Sequence, residues 1–121
     1  MKIKQKMPHS LVLLMDYFAG EPPSSFVGRL VTFTPTCVAI GTISEDDGVA
    51  SVLVTRLPLI DSDELSKVHI GKLRVPSKKL SLVDTNNCIL ATMEVGTEEI
   101  NFEVWVDHPS EPENIVIGIS E

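Results

Sequence analysis

Apolar stretches of five to nine residues recur along the chain: Leu11 to Ala19, Phe26 to Phe33, Cys37 to Ile43, Val49 to Leu57, Val68 to Val75, Lys79 to Val83, Ile89 to Val95, Ile100 to Val106 and Ile115 to Ile119. Each is cut off by turn residues: Gly20-Glu21-Pro22-Pro23-Ser24-Ser25, Thr34-Pro35-Thr36, Pro76-Ser77, Asp84-Thr85-Asn86-Asn87, Gly96-Thr97 and Asp107 to Asn114. Paired prolines cannot donate to a ladder, and Asx and Gly positions favour reversal of the chain. Strand-forming residues punctuated every 8 to 12 positions predict an all-β fold. No amphipathic helix of the length a parallel α/β sheet needs separates the strands. The expectation is a single-domain, mainly antiparallel β-sandwich of about eight or nine strands. At Glu45-Asp46-Asp47-Gly48, Asp-Gly supplies the strongest hairpin signal, joining Cys37 to Ile43 with Val49 to Leu57. A short helical turn fits only near residues 61–67, where Asp61-Ser62-Asp63-Glu64 offers capping oxygens and early-turn acids.

Alternation assigns faces in the last third. In Ile100-Asn101-Phe102-Glu103-Val104-Trp105-Val106-Asp107 the even positions belong to the core and the odd positions to the outside, which puts Trp105 beside Glu103 and Asp107. An outward tryptophan covers a sheet edge, packs under the following loop or anchors an interface. Tyr17 and Phe18 cannot both point inward from one strand, so one of them joins an exposed patch unless the other sheet covers both.

The length of 121 residues fits one ordinary core, without need of a disulfide or structural metal. Seventeen acidic and ten basic residues give a net charge of −7, which argues against binding nucleic acid over a broad face. The imbalance is local. Met1 to Lys79 holds all ten Lys/Arg and eight Asp/Glu, whereas Leu80 to Glu121 holds nine Asp/Glu and no Lys or Arg. Such a segment is relieved by screening, by cations from earlier strands or by a cationic partner. At the N-terminus, Lys2, Lys4 and Lys6 precede an apolar run of only five residues, Leu11 to Met15, too short for a secretory signal, and nothing approaches a membrane span. Residues 1–9 are therefore expected as a mobile basic segment, and the protein as cytoplasmic. Cys37 and Cys88 both read as strand residues: buried thiols, or a bridge in an exported protein.

Candidate chemistry is sparse. His9, His69 and His108 are scattered, and there is no nucleophile elbow, zinc-protease motif or glycine-rich phosphate loop. No enzymatic activity and no cofactor are expected. Three acidic stretches could lend oxygens to calcium: Glu45-Asp46-Asp47, Asp61-Ser62-Asp63-Glu64, and Asp107 with Glu111, Glu113 and Asn114. Asp61, Asp63 and Glu64 are the weak alternative metal ligands, since none of the stretches has a calcium-loop cadence. Sugar stacking is poorly supplied, with aromatic residues at 5%.

Protein binding remains. An acidic domain suits a cationic partner such as the cleft of a nuclease, because opposed fields speed and orient association, while an apolar anchor supplies affinity. The candidate contact residues are Glu98, Glu99, Glu103, Trp105 and Asp107. From Lys72 onward the cadence is Leu73-Arg74-Val75-Pro76, then Ile89 to Val95, a glycine turn and a strand ending in an aromatic. It resembles, over about fifty residues, the C-terminal part of competence protein J, a bacterial nuclease-inhibiting β protein. That resemblance implies an inhibitor and assigns no residue a role. The expected function is a protein-interaction module of inhibitor or immunity type that binds a basic protein, not nucleic acid or membrane. The alternatives are a sandwich with a calcium or carbohydrate site in its loops and a self-assembling structural subunit.

Overall fold

The computed structural model describes residues 1–25, 29–58 and 64–121. Among them are ten strands: β1 (Lys2–Gln5), β2 (Leu11–Asp16), β3 (Val31–Thr34), β4 (Cys37–Gly41), β5 (Ala50–Arg56), β6 (Ser66–Arg74), β7 (Lys79–Val83), β8 (Ile89–Glu94), β9 (Glu99–Val106) and β10 (Asn114–Ser120). They form two five-stranded sheets, ordered β1-β5-β10-β9-β6 and β3-β4-β2-β7-β8. Every pairing is antiparallel except that of β5 with β10. The sheets enclose a core that includes Val12, Leu14, Val38, Ile40, Val52, Leu73, Leu80, Leu82, Phe102, Val104, Ile115 and Ile117. This is the all-β sandwich that the apolar pattern predicts, and all nine stretches contribute a strand.

Position in the sheet explains the texture of each strand. β2 and β10 are central, and both read as nearly unbroken apolar runs: Leu11 to Met15, and Ile115 to Ile119. On β2, Val12 and Leu14 enter the main core while Leu13 joins Cys37, Ala39 and Val83 in a smaller cluster on the other face. β1 is an edge strand of opposite texture, Lys2-Ile3-Lys4-Gln5, with its lysines outward. Lysines on an edge discourage pairing with other chains.

Several expectations require correction. Residues 1–9, expected as a mobile basic segment, contain a paired strand: β1 pairs with β5, the Met1 ammonium donates to the Val54 carbonyl at 2.9 Å, and Met7 is fully buried. Lys2-Ile3-Lys4-Gln5 carries the two-residue alternation of a strand beneath its basic composition. Glu45-Asp46-Asp47-Gly48 does not close a hairpin, because β4 and β5 belong to different sheets. The Asp47 and Gly48 amides both donate to the Ser44 carbonyl, and Gly48 does not use the left-handed conformation that a two-residue hairpin demands. β8 and β9 likewise lie in different sheets, so Gly96-Thr97 is a crossover. Of the helical turn near 61–67, residues 61–63 lie outside the described residues, while β6 starts at Ser66. The 3-10 turn of the described chain is Pro8–Ser10. Cys88 is an exposed turn residue with a free thiol; Cys37 is free and buried, its thiol pushed up to about 12 by burial.

Two side chains fasten the sandwich at places the sequence did not mark. Asp16, fully buried at the end of β2, accepts four hydrogen bonds. Its Oδ2 takes the Phe18 and Ala19 amides at 2.9 and 2.6 Å, and its Oδ1 takes the Ser77 amide and hydroxyl at 2.9 and 2.7 Å. Burial works to raise its pKa, but the donors from Ser77, Ala19 and Phe18 together outweigh burial and hold the carboxyl below its ordinary 3.8. At the open seam between edge strands β3 and β6, His69 lies between Phe33 and Phe102, with ring centroids 5.3 and 5.6 Å apart. Gly71 makes room for this stack: a Cβ there would meet the Phe102 ring at 3.2 Å and His69 Nε2 at 3.3 Å. Burial lowers the His69 pKa from 6.5.

Asp16→Ala leaves buried donors without an acceptor and should cost about 2–4 kcal/mol, read from urea unfolding. Because the folded carboxyl titrates below 3.8, its contribution is complete above that pH and is lost as pH falls through the folded value. The variant should therefore show a flatter acid limb. For His69 the unfolded chain takes up the proton first, so stability is full above pH 6.5 and declines as pH drops from there toward the folded value. In melting experiments between pH 7 and pH 5, His69→Phe should remove that share of the decline.

Candidate functional site

The register of β9 decides what its acidic residues can do. Glu99, Asn101, Glu103 and Trp105 face outward as the alternation predicts, while Ile100, Phe102, Val104 and Val106 are buried. Strand β6 lies alongside with Arg74 opposite Glu99, Lys72 opposite Asn101, Ile70 opposite Glu103 and Lys67 opposite Trp105. Lys67 Nζ is 3.7 Å from Glu103 Oε1 and 5.5 Å from the centre of the Trp105 ring, and Trp105 Nε1–H donates to Glu103 Oε2 at 3.2 Å. Lys2 and Lys4, paired with Leu53 and Ser51 of β5, share the face at the other edge. Five strand cations thus accompany Glu99 and Glu103. The outer face of β9 is therefore mixed in charge, because the sheet order brings strands from the basic part of the chain against the acidic part. Trp105 is half-buried under Lys67 and opposite Val116 of β10.

Glu98 and Asp107 lie beyond opposite ends of β9, roughly 30 Å apart at the rise of an extended chain. Glu98 is exposed, and its carbonyl accepts the Val75 amide. The Asp107 carboxylate is committed to its own loop: Oδ1 accepts the Glu113 and Asn114 amides at 3.0 and 3.1 Å, and Oδ2 accepts Asn114 Nδ2 at 2.8 Å. The five candidate contact residues therefore form a line along one strand rather than a patch.

A different anionic surface is built at the end of the sandwich where β9 turns into β10. The loop between β4 and β5 and the loop between β9 and β10 are bonded together there: the Ile43 amide donates to the Pro112 carbonyl at 3.0 Å, and the Ser51 amide to the Glu113 carbonyl at 2.7 Å. The Pro8–Ser10 turn joins them, its Ser10 carbonyl accepting the Thr42 amide at 2.8 Å, and the β7–β8 turn follows, with Thr85 Oγ1 2.7 Å from His9 Nδ1 and 3.2 Å from the Pro8 carbonyl. His9 and Ser10 both hold the left-handed conformation, φ 57° and 56°, which non-glycine residues adopt at a cost. Each loop is also braced within itself. Ser44 Oγ accepts the Asp46 amide, and His108 Nδ1 accepts the amides of Glu111 and Ser110 at 2.9 and 3.2 Å.

On this stitched frame Glu45, Asp46, Asp47, Glu111 and Glu113 are all exposed beside Asp107, and neither loop contains a Lys or Arg. Two of the three stretches considered for calcium thus share one end. Among the described residues, however, no three His, Cys, Asp or Glu side chains come together to hold a metal ion. Of the weak alternative set, Asp61 and Asp63 lie outside the described residues, and Glu64 is exposed. The carboxylates are spread over a surface instead of gathered around a point, which suits a broad cationic surface better than an ion. The charge of each loop was visible in the sequence; that the two loops meet was not, since it follows from the parallel pairing of β10 with β5.

No family model matches the chain, and no curated protein is similar to it in sequence. Among solved structures it is similar to the crystal structure of ComJ from Bacillus subtilis, described as the inhibitor of the DNA degrading activity of NucA. The two superpose with a TM-score of 0.73 over 98% of this chain and 93% of that one, at 8% sequence identity. The likeness noted over the C-terminal fifty residues therefore extends, as a shared fold, across nearly the whole chain.

Proposed function

We propose that this protein is a non-enzymatic interaction module that occludes a basic protein, with the end formed by the β4–β5 and β9–β10 loops as its contact surface. The observation that carries the reading is the fold it shares with a nuclease inhibitor over 98% of its length. The surface chemistry agrees. Glu45, Asp46, Asp47, Glu111 and Glu113 project from loops joined to each other by the Ile43–Pro112 hydrogen bond and braced by bonds within each loop, so little ordering remains to be done on binding. Rim carboxylates of this kind raise the rate of encounter with a positive cleft and select its orientation more than they add affinity. Glu99, Glu103 and Trp105 fall outside this surface: Arg74 lies opposite Glu99 on the neighbouring strand, and Lys67 sits 3.7 Å from Glu103 and over the Trp105 ring.

The test uses the protein that copurifies from the native cell. Replacing Glu45, Asp46, Asp47, Glu111 and Glu113 by Lys should slow association at low salt by about tenfold or more and flatten its salt dependence. Glu98→Lys with Glu99→Lys should leave both nearly unchanged. Equal rates and equal salt slopes in the two variants would overturn the assignment.

A further inference from the structure

Strand β6 is the edge of its sheet, and at nine residues the longest strand described. Among the described residues no strand pairs with its outer flank. The Arg74 amide donates to the Pro35 carbonyl of the β3–β4 turn at 2.7 Å and so points away from β9. Backbone groups alternate sides along a strand, which turns those of Lys72 and Ile70 outward as well. Ile70 is 63% exposed, Val68 at the bulge 40%, and Phe33, across the seam and stacked on His69, 61%. The other edge of this sheet, β1, is shorter and carries Lys2 and Lys4 with no exposed large apolar side chain.

The cations of β6 decide what can dock. Antiparallel pairing with the β6 of a second copy would place Lys67, Lys72 and Arg74 of both chains on one face, six positive charges with no new carboxylate, and this disfavours self-association. What β6 accepts is shown by the neighbour it already has. β9 offers Glu99 to Arg74 and Glu103 to Lys67 on the outer face, and Ile100, Phe102 and Val104 to the space between the sheets. A strand arriving on the free flank meets the same cations on the outer face and, on the inner face, the apolar seam at Phe33 and His69.

We infer that the free flank of β6 is a docking edge for an extended segment of a partner protein in which acidic and apolar residues alternate, bound by strand addition at Ile70 and Lys72. Main-chain hydrogen bonds supply the affinity, and Lys67, Lys72 and Arg74 supply the selection against basic segments. This edge is separate from the acidic loop end and does not depend on it.

The experiment follows amide exchange at Ile70 and Lys72 by NMR with two synthetic octapeptides, alternating Glu-Val and alternating Lys-Val. The Glu-Val peptide should slow exchange at both amides by about tenfold or more at saturation, and the Lys-Val peptide should not. Ile70→Pro, which removes an outward donor without touching the ladder to β9, should abolish the protection at the remaining Lys72 amide. Lys72→Glu, at an exposed position, should weaken the Glu-Val peptide and favour the Lys-Val one. Unchanged exchange with the Glu-Val peptide, equal protection by both peptides, or protection that grows with protein concentration alone would overturn the inference.

Discussion

β6 and β9 run antiparallel from Ser66 beside Val106 to Arg74 beside Glu99, and their outward side chains are opposite in charge. This pairing sets the electrostatics of the molecule. Along the chain the charges are segregated, with every Lys and Arg in the first 79 residues and nine of the acids in the last 42. In space the sheet order undoes the segregation: β6 carries cations to one side of β9 and β10, and β1 carries them to the far edge beside β5. A half-buried ion pair such as Lys67–Glu103 contributes little to stability by itself. Its effect is on the surface, because it removes the sheet face from the anionic area and leaves that area to the loops at one end.

The loops can hold that role because the sandwich beneath them is stiff where they attach. β10 enters the sheet between β5 and β9, so its first residue follows the β9–β10 loop at the point where β5 emerges from the β4–β5 loop. The amide of Ser51 then reaches the Glu113 carbonyl, and two segments more than sixty residues apart become one surface. At the other end Asp16 ties the end of β2 to the β6–β7 turn, and Glu121 accepts from Arg56 and from the Gly96 amide. A scaffold closed at both ends, with charge carried on its loops, is the usual division between fold and binding.

Much of the fold was legible in the sequence because period-two alternation and turn punctuation are local. Ile100 to Val106 gave both its strand and its faces, and the unbroken run Ile115 to Ile119 marks a strand buried on both sides. Non-local pairing was not legible. Asp-Gly at residues 47 and 48 is a hairpin signal only if the next strand returns beside the last, and here it crosses to the other sheet. Lys2-Ile3-Lys4-Gln5 carries the alternation of an edge strand, hidden by its charge. Alternation turns Glu99, Glu103 and Trp105 outward, as in the structure, but the charge of that face depends on which strand lies beside it, and nothing in Glu103 or Trp105 names Lys67 as the neighbour.

The central claim is that neutralisation of β9 by β6 leaves the β4–β5 and β9–β10 loops as the surface a basic partner meets. Hydrogen–deuterium exchange of the protein bound to its copurified partner tests it most directly. The account predicts protection concentrated in residues 42–49 and 107–113. Protection around residues 96–99 at the opposite end, with those two loops unchanged, would contradict it.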